Sequence, residues 1–133
     1  MNELKELGVL VVVDDDAIFT AIARMFSHFK AKVDYAPSAL EALDRLMTHE
    51  YKTIITNVDM PGMEGLELTR KARELIPALN IVLFTGDTAE QVLNLALNPK
   101  VLDMSEQQMK PCSLGEILKG IMNRETGRIF LLK

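Results

Sequence analysis

Residues 8–13 read Gly-Val-Leu-Val-Val-Val, an unbroken apolar run that stops against three aspartates, Asp14, Asp15 and Asp16. A strand with one solvated face alternates apolar and polar residues, whereas a strand apolar throughout is buried on both faces. Such burial calls for helices on both sides of a parallel sheet, and the rest of the chain supplies the parts. Ile18, Ile22, Met25, Phe26 and Phe29 recur at helical spacing and predict a helix directly after the aspartates. Residues 32–36 predict a second strand. Ser38 with Glu41 forms a capping box, after which Leu40, Leu43, Leu46 and Met47 predict the buried stripe of a second helix. Residues 53–56 predict a third strand, and Pro61, Gly62 and Gly65 a loop over 59–65. Leu68, Ala72, Leu75 and Ile76 share one face of a third helix that stops at Pro77, and residues 80–84 predict a fourth strand. Thr88 with Gln91 opens a helix carrying Val92, Leu95 and Ala96. Ser113 with Glu116 opens a last one carrying Leu114, Ile117, Leu118, Ile121 and Met122.

Between those two helices, residues 98–109 are poor core material, with Ser105, Glu106, Gln107 and Gln108 in succession. They predict a short, polar fifth strand at the sheet edge. Five strand–helix units in this order imply an α/β, three-layer, flavodoxin-like (βα)5 fold with right-handed crossovers. Its parallel five-stranded sheet has the order 2-1-3-4-5. Residues 1–124 form the expected domain, and residues 125–133 a C-terminal tail or the start of a linker.

A length of 133 residues suits one domain, and 48% apolar with 26% charged residues is the balance of a globular protein. The net charge of −4 argues against a broad electrostatic grip on nucleic acid or anionic lipid. Cys112 is the single cysteine, which rules out an internal disulfide and fits a reducing compartment. The apolar run over 9–13 is too short to span a bilayer, and the mixed, charged N-terminus is no signal peptide. A cytoplasmic location is the expectation, without membrane or direct nucleic-acid contact.

In such sheets ligands gather at the carboxyl ends of the strands. Polar residues follow the apolar runs there: the three aspartates after strand one, Asn57 after strand three, Thr85 after strand four, and Lys110 before Pro111 after strand five. The strand order brings the aspartates and Asn57 together at the switch point. Crowded carboxylates repel unless a cation or proton intervenes, and an oxygen-only set suits a hard divalent ion such as Mg2+. The competing role for the aspartates is capping of the first helix. One of them suffices for that, with Asp16 the best candidate. Thr85 alone is equally well an ordinary strand residue, and Lys110 alone a solvated charge. Converging on a carboxylate–cation site, the hydroxyl and the ammonium would hold a tetrahedral oxyanion such as a phosphoryl group.

The acidic cluster of Val11-Val12-Val13-Asp14-Asp15-Asp16, the loop Asn57-Val58-Asp59-Met60-Pro61-Gly62-Met63-Glu64-Gly65, Phe84-Thr85-Gly86 and Lys110-Pro111 together resemble the receiver (CheY-like) domain of bacterial two-component response regulators. The resemblance runs from about Val9 to Met122. It implies a phosphorelay signalling module rather than an enzyme: a sensor histidine kinase or phosphotransfer protein donates a phosphoryl group to an aspartate ending strand three. It implies Mg2+ held by Asp15, by residue 57 and by the main-chain carbonyl of Asp59, with Asp14 acting through water. Lys110 would contact the phosphoryl oxygens, and Thr85 would couple the site to an effector domain or partner on the helix 4–strand 5–helix 5 face.

One departure changes the chemistry. The acceptor position lies four residues before Pro61 and holds Asn57, whose neutral amide cannot form an acyl phosphate. Phosphorylation would be disabled in this chain and Mg2+ affinity weakened. The sequence leaves open a naturally degenerate receiver, acting as a phosphorylation-independent interaction domain, and an ordinary receiver with Asp replaced by Asn at 57. A small metal-dependent flavodoxin-like enzyme is the remaining alternative. Against it, the first strand–helix turn has no glycine to cradle phosphate and none of the strands expected here ends in cysteine or histidine.

Overall fold

The computed structural model describes residues 7–26, 31–58, 65–84, 101–103, 110–112, 127 and 129–132. Strand β1 (Leu7–Val12) leads into helix α1 (Asp16–Met25), followed by β2 (Ala31–Ala36), α2 (Ala39–Thr48), β3 (Thr53–Asn57), α3 (Gly65–Leu75) and β4 (Asn80–Phe84). Three short strands complete the set: β5 (Val101–Asp103), β6 (Lys110–Cys112) and β7 (Ile129–Leu132). The sheet order is β2-β1-β3-β4-β7-β5-β6. β2, β1, β3, β4 and β7 are mutually parallel, so the parallel strands taken in chain order run 2-1-3-4-5, as the unit count implied. β5 and β6 add an antiparallel hairpin beyond them.

The fifth parallel strand is not the polar segment expected there. It is Ile129–Leu132, from the stretch expected to be a tail or the start of a linker. The position beside β4 is flanked by both cores, and apolarity on both faces decides which segment fills it. Phe130 is buried in the core shared with α1, while Ile129 and Leu131 pack into the core shared with α2 and α3. Residues 105–108 carry nothing comparable.

The sheet separates these two cores. Val9, Val11 and Val13 face Ile18, Ile22 and Phe26 of α1 and its continuation, together with Ile55, Val82 and Phe84. Leu10 and Val12 face Ala39, Ala42 and Leu46 of α2, Leu68 and Ala72 of α3, and Ile54, Ile81 and Leu83. The unbroken run of β1 is thus spent evenly on two cores. Each fully buried Val or Leu there contributes roughly 1.5–3 kcal/mol relative to exposure.

The face of α2 differs in part from the one read off its leucines: Leu46 is buried and Leu43 packs against the core as expected, but the other two long residues do not. Leu40 is 72% and Met47 66% exposed, and the buried positions are Ala39, Ala42 and Leu46. Ser38 caps the helix by accepting the Glu41 N–H at 3.2 Å. That start turns residues 39, 42 and 46 inward, and small alanines let the helix lie close to the sheet. On α3, Leu68 and Ala72 are buried as expected, but Leu75 is 48% exposed at the last helical position before Pro77. The two capping boxes at Thr88 and Ser113, and the helices they were expected to open, lie outside the described residues.

Candidate functional site at the carboxyl ends of the strands

The central strands bring two of the singled-out segments side by side. Val12 registers with Thr56 across the β1–β3 ladder, so Val13 stands level with Asn57 one strand spacing away, about 4.8 Å. Asp14 and Asp15 follow at once and are exposed, whereas Asn57 is buried, with 4% of its surface accessible. Two carboxylates at the rim above a buried amide make up the described part of the crevice.

Asp15, not Asp16, is the N-cap of α1. Its Oδ1 accepts the N–H groups of Ala17 at 2.7 Å and Ile18 at 3.2 Å. Asp16 is the first helical residue, and its backbone carbonyl accepts the Thr20 hydroxyl at 2.9 Å. An aspartate one residue earlier has the extended backbone a cap requires, with φ −139° and ψ 123°.

Tyr35 was not anticipated at the site. It lies on β2 opposite Val11, with its ring stacked on Phe19 at a centroid distance of 4.7 Å. Its hydroxyl pKa is raised, first by burial, then by a hydrogen bond to Asp16 and by the negative charge of Asp16, Asp14 and Asp15. A tyrosine held protonated beside three aspartates gives Asp16 a donor of its own. The signal for it was available in the alternation of Val33 and Tyr35 along β2.

Gly65 fixes the far side of Asn57. Its N–H donates to the Val58 carbonyl at 2.8 Å, and Val58 N–H donates to the Phe84 carbonyl at 2.9 Å. A Cβ at position 65 would run into the Asn57 carbonyl. Only glycine lets the start of α3 approach so closely, and the sequence marked it merely as a loop residue.

Of the remaining site candidates, Asp59 and Thr85 lie outside the described residues. Of Lys110 the structure describes the backbone alone. Lys110 opens β6 and registers with Asp103, which faces Phe130, which in turn faces Val82. That backbone position is level with the middle of β4, not its carboxyl end. β5, β7 and β4 separate this backbone position from β3, four strand spacings or roughly 19 Å. The cause is the one that placed Ile129–Leu132 beside β4.

The donors that a cation would meet are the carboxylates of Asp14 and Asp15 and the amide oxygen of Asn57. They are all hard oxygens and fit Mg2+ in kind. They are poor in charge: among the described residues no three His, Cys, Asp or Glu side chains form a group able to hold a metal.

Residues 9–122 match the family model of the response regulator receiver domain. The chain belongs to that family. Among curated relatives, the receiver protein CpdR of Brucella abortus is 30% identical over 91 residues, covering 68% of this chain and 72% of CpdR. The sensor protein EvgS of Escherichia coli K12 is 34% identical over 77 residues, which is 58% of this chain but 6% of EvgS. Among solved structures, a CheY-like receiver domain from Methanospirillum hungatei superposes with a TM-score of 0.65 at 24% identity, covering 90% of this chain and 97% of that one, a likeness of fold. TrrA of Thermotoga maritima, solved with Mg2+ and a beryllium fluoride, aligns at 27% identity with a TM-score of 0.57, covering 62% of this chain and 71% of TrrA. Receiver domains are signalling modules of two-component systems; they work with sensor kinases or phosphotransfer partners and typically bind Mg2+. No helix among the described residues is long and apolar enough to cross a membrane.

Proposed function

We propose that this chain is a receiver module in which Asn57 occupies the phosphoryl-acceptor position, so that the chain as it stands takes no phosphoryl group from a sensor histidine kinase or phosphotransfer protein. The observation that carries this reading is the place of Asn57: buried at the carboxyl end of β3, level with the strand that delivers Asp14 and Asp15. A carboxylate there would attack phosphorus, whereas an amide has neither the charge nor the basicity. Asp14, Asp15 and the Asn57 amide oxygen would hold Mg2+, with the main-chain carbonyl of Asp59 as a further ligand. When bound, the ion supplies charge neutralisation for an incoming phosphoryl group. With one carboxylate fewer, its affinity is weakened. Thr85 is assigned the hydroxyl that reports the state of the site to a partner surface.

The test is labelling by a small phosphoryl donor, acetyl phosphate, in the presence of magnesium. The unsubstituted chain should remain unlabelled and Asn57→Asp should become labelled. Stable label on the unsubstituted chain, or an Asn57→Asp protein that folds and stays blank, would remove the reading.

A further inference from the structure

Strand β2 stands at one end of the sheet and has no neighbour on its outer side among the described residues. The Ala36 carbonyl accepts the Val13 N–H at 3.2 Å, so the backbone groups of Ala36 point at β1. These groups alternate sides along a strand. Lys32 and Asp34 therefore turn theirs inward with Ala36, while Ala31, Val33 and Tyr35 turn theirs to the open edge. The side chains of those three pack against the core shared with α1. Lys32 and Asp34 lie on the other face, that of α2, where Asp34 Oδ2 accepts the Tyr51 hydroxyl at 2.6 Å. Lys32 is exposed and Asp34 half-buried. A lone charge on an edge discourages pairing with another strand. Here two charges of opposite sign flank Val33.

Turned about a twofold axis at Val33, the strand meets a second copy of itself in the antiparallel sense. Val33 then lies opposite Val33 and Ala31 opposite Tyr35. These are the outward-facing positions, the ones that exchange N–H···O bonds in an antiparallel ladder. The positions between them set Lys32 of each copy opposite Asp34 of the other, in the pairs where side chains come closest. A slip of two residues either way would set Lys32 against Lys32 or Asp34 against Asp34. The charges thus select one register. We propose that the free edge of β2 is a self-pairing surface, which joins two copies of this chain antiparallel about Val33 through reciprocal Lys32–Asp34 pairs. Tyr51 holds the Asp34 carboxylate in place through one oxygen and leaves the other for the lysine. A contact one strand wide is small for a permanent dimer, so the association is reversible and follows concentration. It is independent of what the crevice binds.

Sedimentation of the full chain over a concentration series tests this. A dimer should grow with concentration and weaken in high salt. Lys32→Glu and Asp34→Lys, each checked for folding by circular dichroism, should each dimerise at least about tenfold more weakly alone, because like charges then face each other twice. Mixed in equal amounts they should form a mixed dimer, since both facing pairs are again opposite in sign. Asp34→Lys also loses the Tyr51 bond; should it fail to fold, a cross-link on the unsubstituted chain decides. A water-soluble carbodiimide condenses a carboxylate with an amine in contact. Applied to a mixture of 14N- and 15N-labelled chains, it should yield a peptide joining Lys32 of one isotope to Asp34 of the other. A chain that stays monomeric throughout, a dimer indifferent to Lys32→Glu, or cross-linked dimers without that mixed peptide would overturn the proposal.

Discussion

Asp15 commits one carboxylate oxygen to two backbone N–H groups at the start of α1, and under the proposed function the other turns to a cation. Substitution can separate the two roles. Asp15→Ala should cost about 1 kcal/mol through loss of the cap, while Asp15→Ser should cost little because serine caps as well. Both should lose magnesium binding alike, as urea melts and magnesium titrations of the two proteins would show. Position 65 answers to a different constraint. Gly65→Ala should destabilise by roughly 1–3 kcal/mol, because the methyl must displace the Asn57 carbonyl or the start of α3. The backbone amide signals of Asn57 and Val58 should move with it. Tyr51 offers a pH test. Its hydroxyl donates to Asp34 Oδ2 at 2.6 Å, and burial first, then that bond, raises its pKa above the usual 10.0. A raised folded pKa stabilises the protein fully below about 10 and loses that contribution as pH rises through the folded value. Stability should therefore fall on the alkaline side of 10, with a shallower fall in Tyr51→Phe.

At the scale of elements, α2 shows where the sequence is misleading. Of the four long apolar residues expected in the buried stripe, Leu46 is buried and Leu43 packs against the core, but Leu40 and Met47 are exposed and Ala39 and Ala42 take their places. Leu46→Ala should cost 2–5 kcal/mol, roughly what a buried leucine costs elsewhere, and Leu40→Ala or Met47→Ala should stay within about 0.5 kcal/mol. Denaturant melts of the three variants would decide it. Apolar periodicity says which residues can be buried. Which of two overlapping stripes is buried depends on how close the helix comes to the sheet, and only packing fixes that. The strands were easier to read, because β1 and β4 carry apolar runs bounded by polar residues and β3 is rich in β-branched residues. β7 was present in the sequence as Ile129-Phe130-Leu131-Leu132, but its position after the last helical stripe suggested a tail. Nothing local says that a segment so far along the chain pairs with β4. The acidic cluster and Asn57 were legible because strand order alone makes them neighbours. Where the backbone of Lys110 lies depends on which segment takes the fifth place, and no local pattern decides that.

For the whole molecule, the electrostatic state of the crevice should be visible as stability. A ligand that binds only the folded state stabilises it in proportion to the logarithm of its concentration over its Kd. Millimolar magnesium should leave the melting temperature of the unsubstituted chain nearly unchanged. In Asn57→Asp, a third carboxylate crowds the aspartates, so this protein should melt lower without magnesium and regain several degrees with it. Scanning calorimetry of both proteins, with and without the ion, checks the expectation; equal responses would mean that residue 57 takes no part in the cation site. The sheet order has a consequence for the newborn chain as well. β4 is complete at Phe84, and its parallel partner begins at Ile129, 45 residues later. At about 5–20 residues per second, a ribosome needs roughly 2–9 seconds to supply them. Throughout that interval a fully buried strand of the finished protein has an open edge, the kind of template on which foreign strands grow.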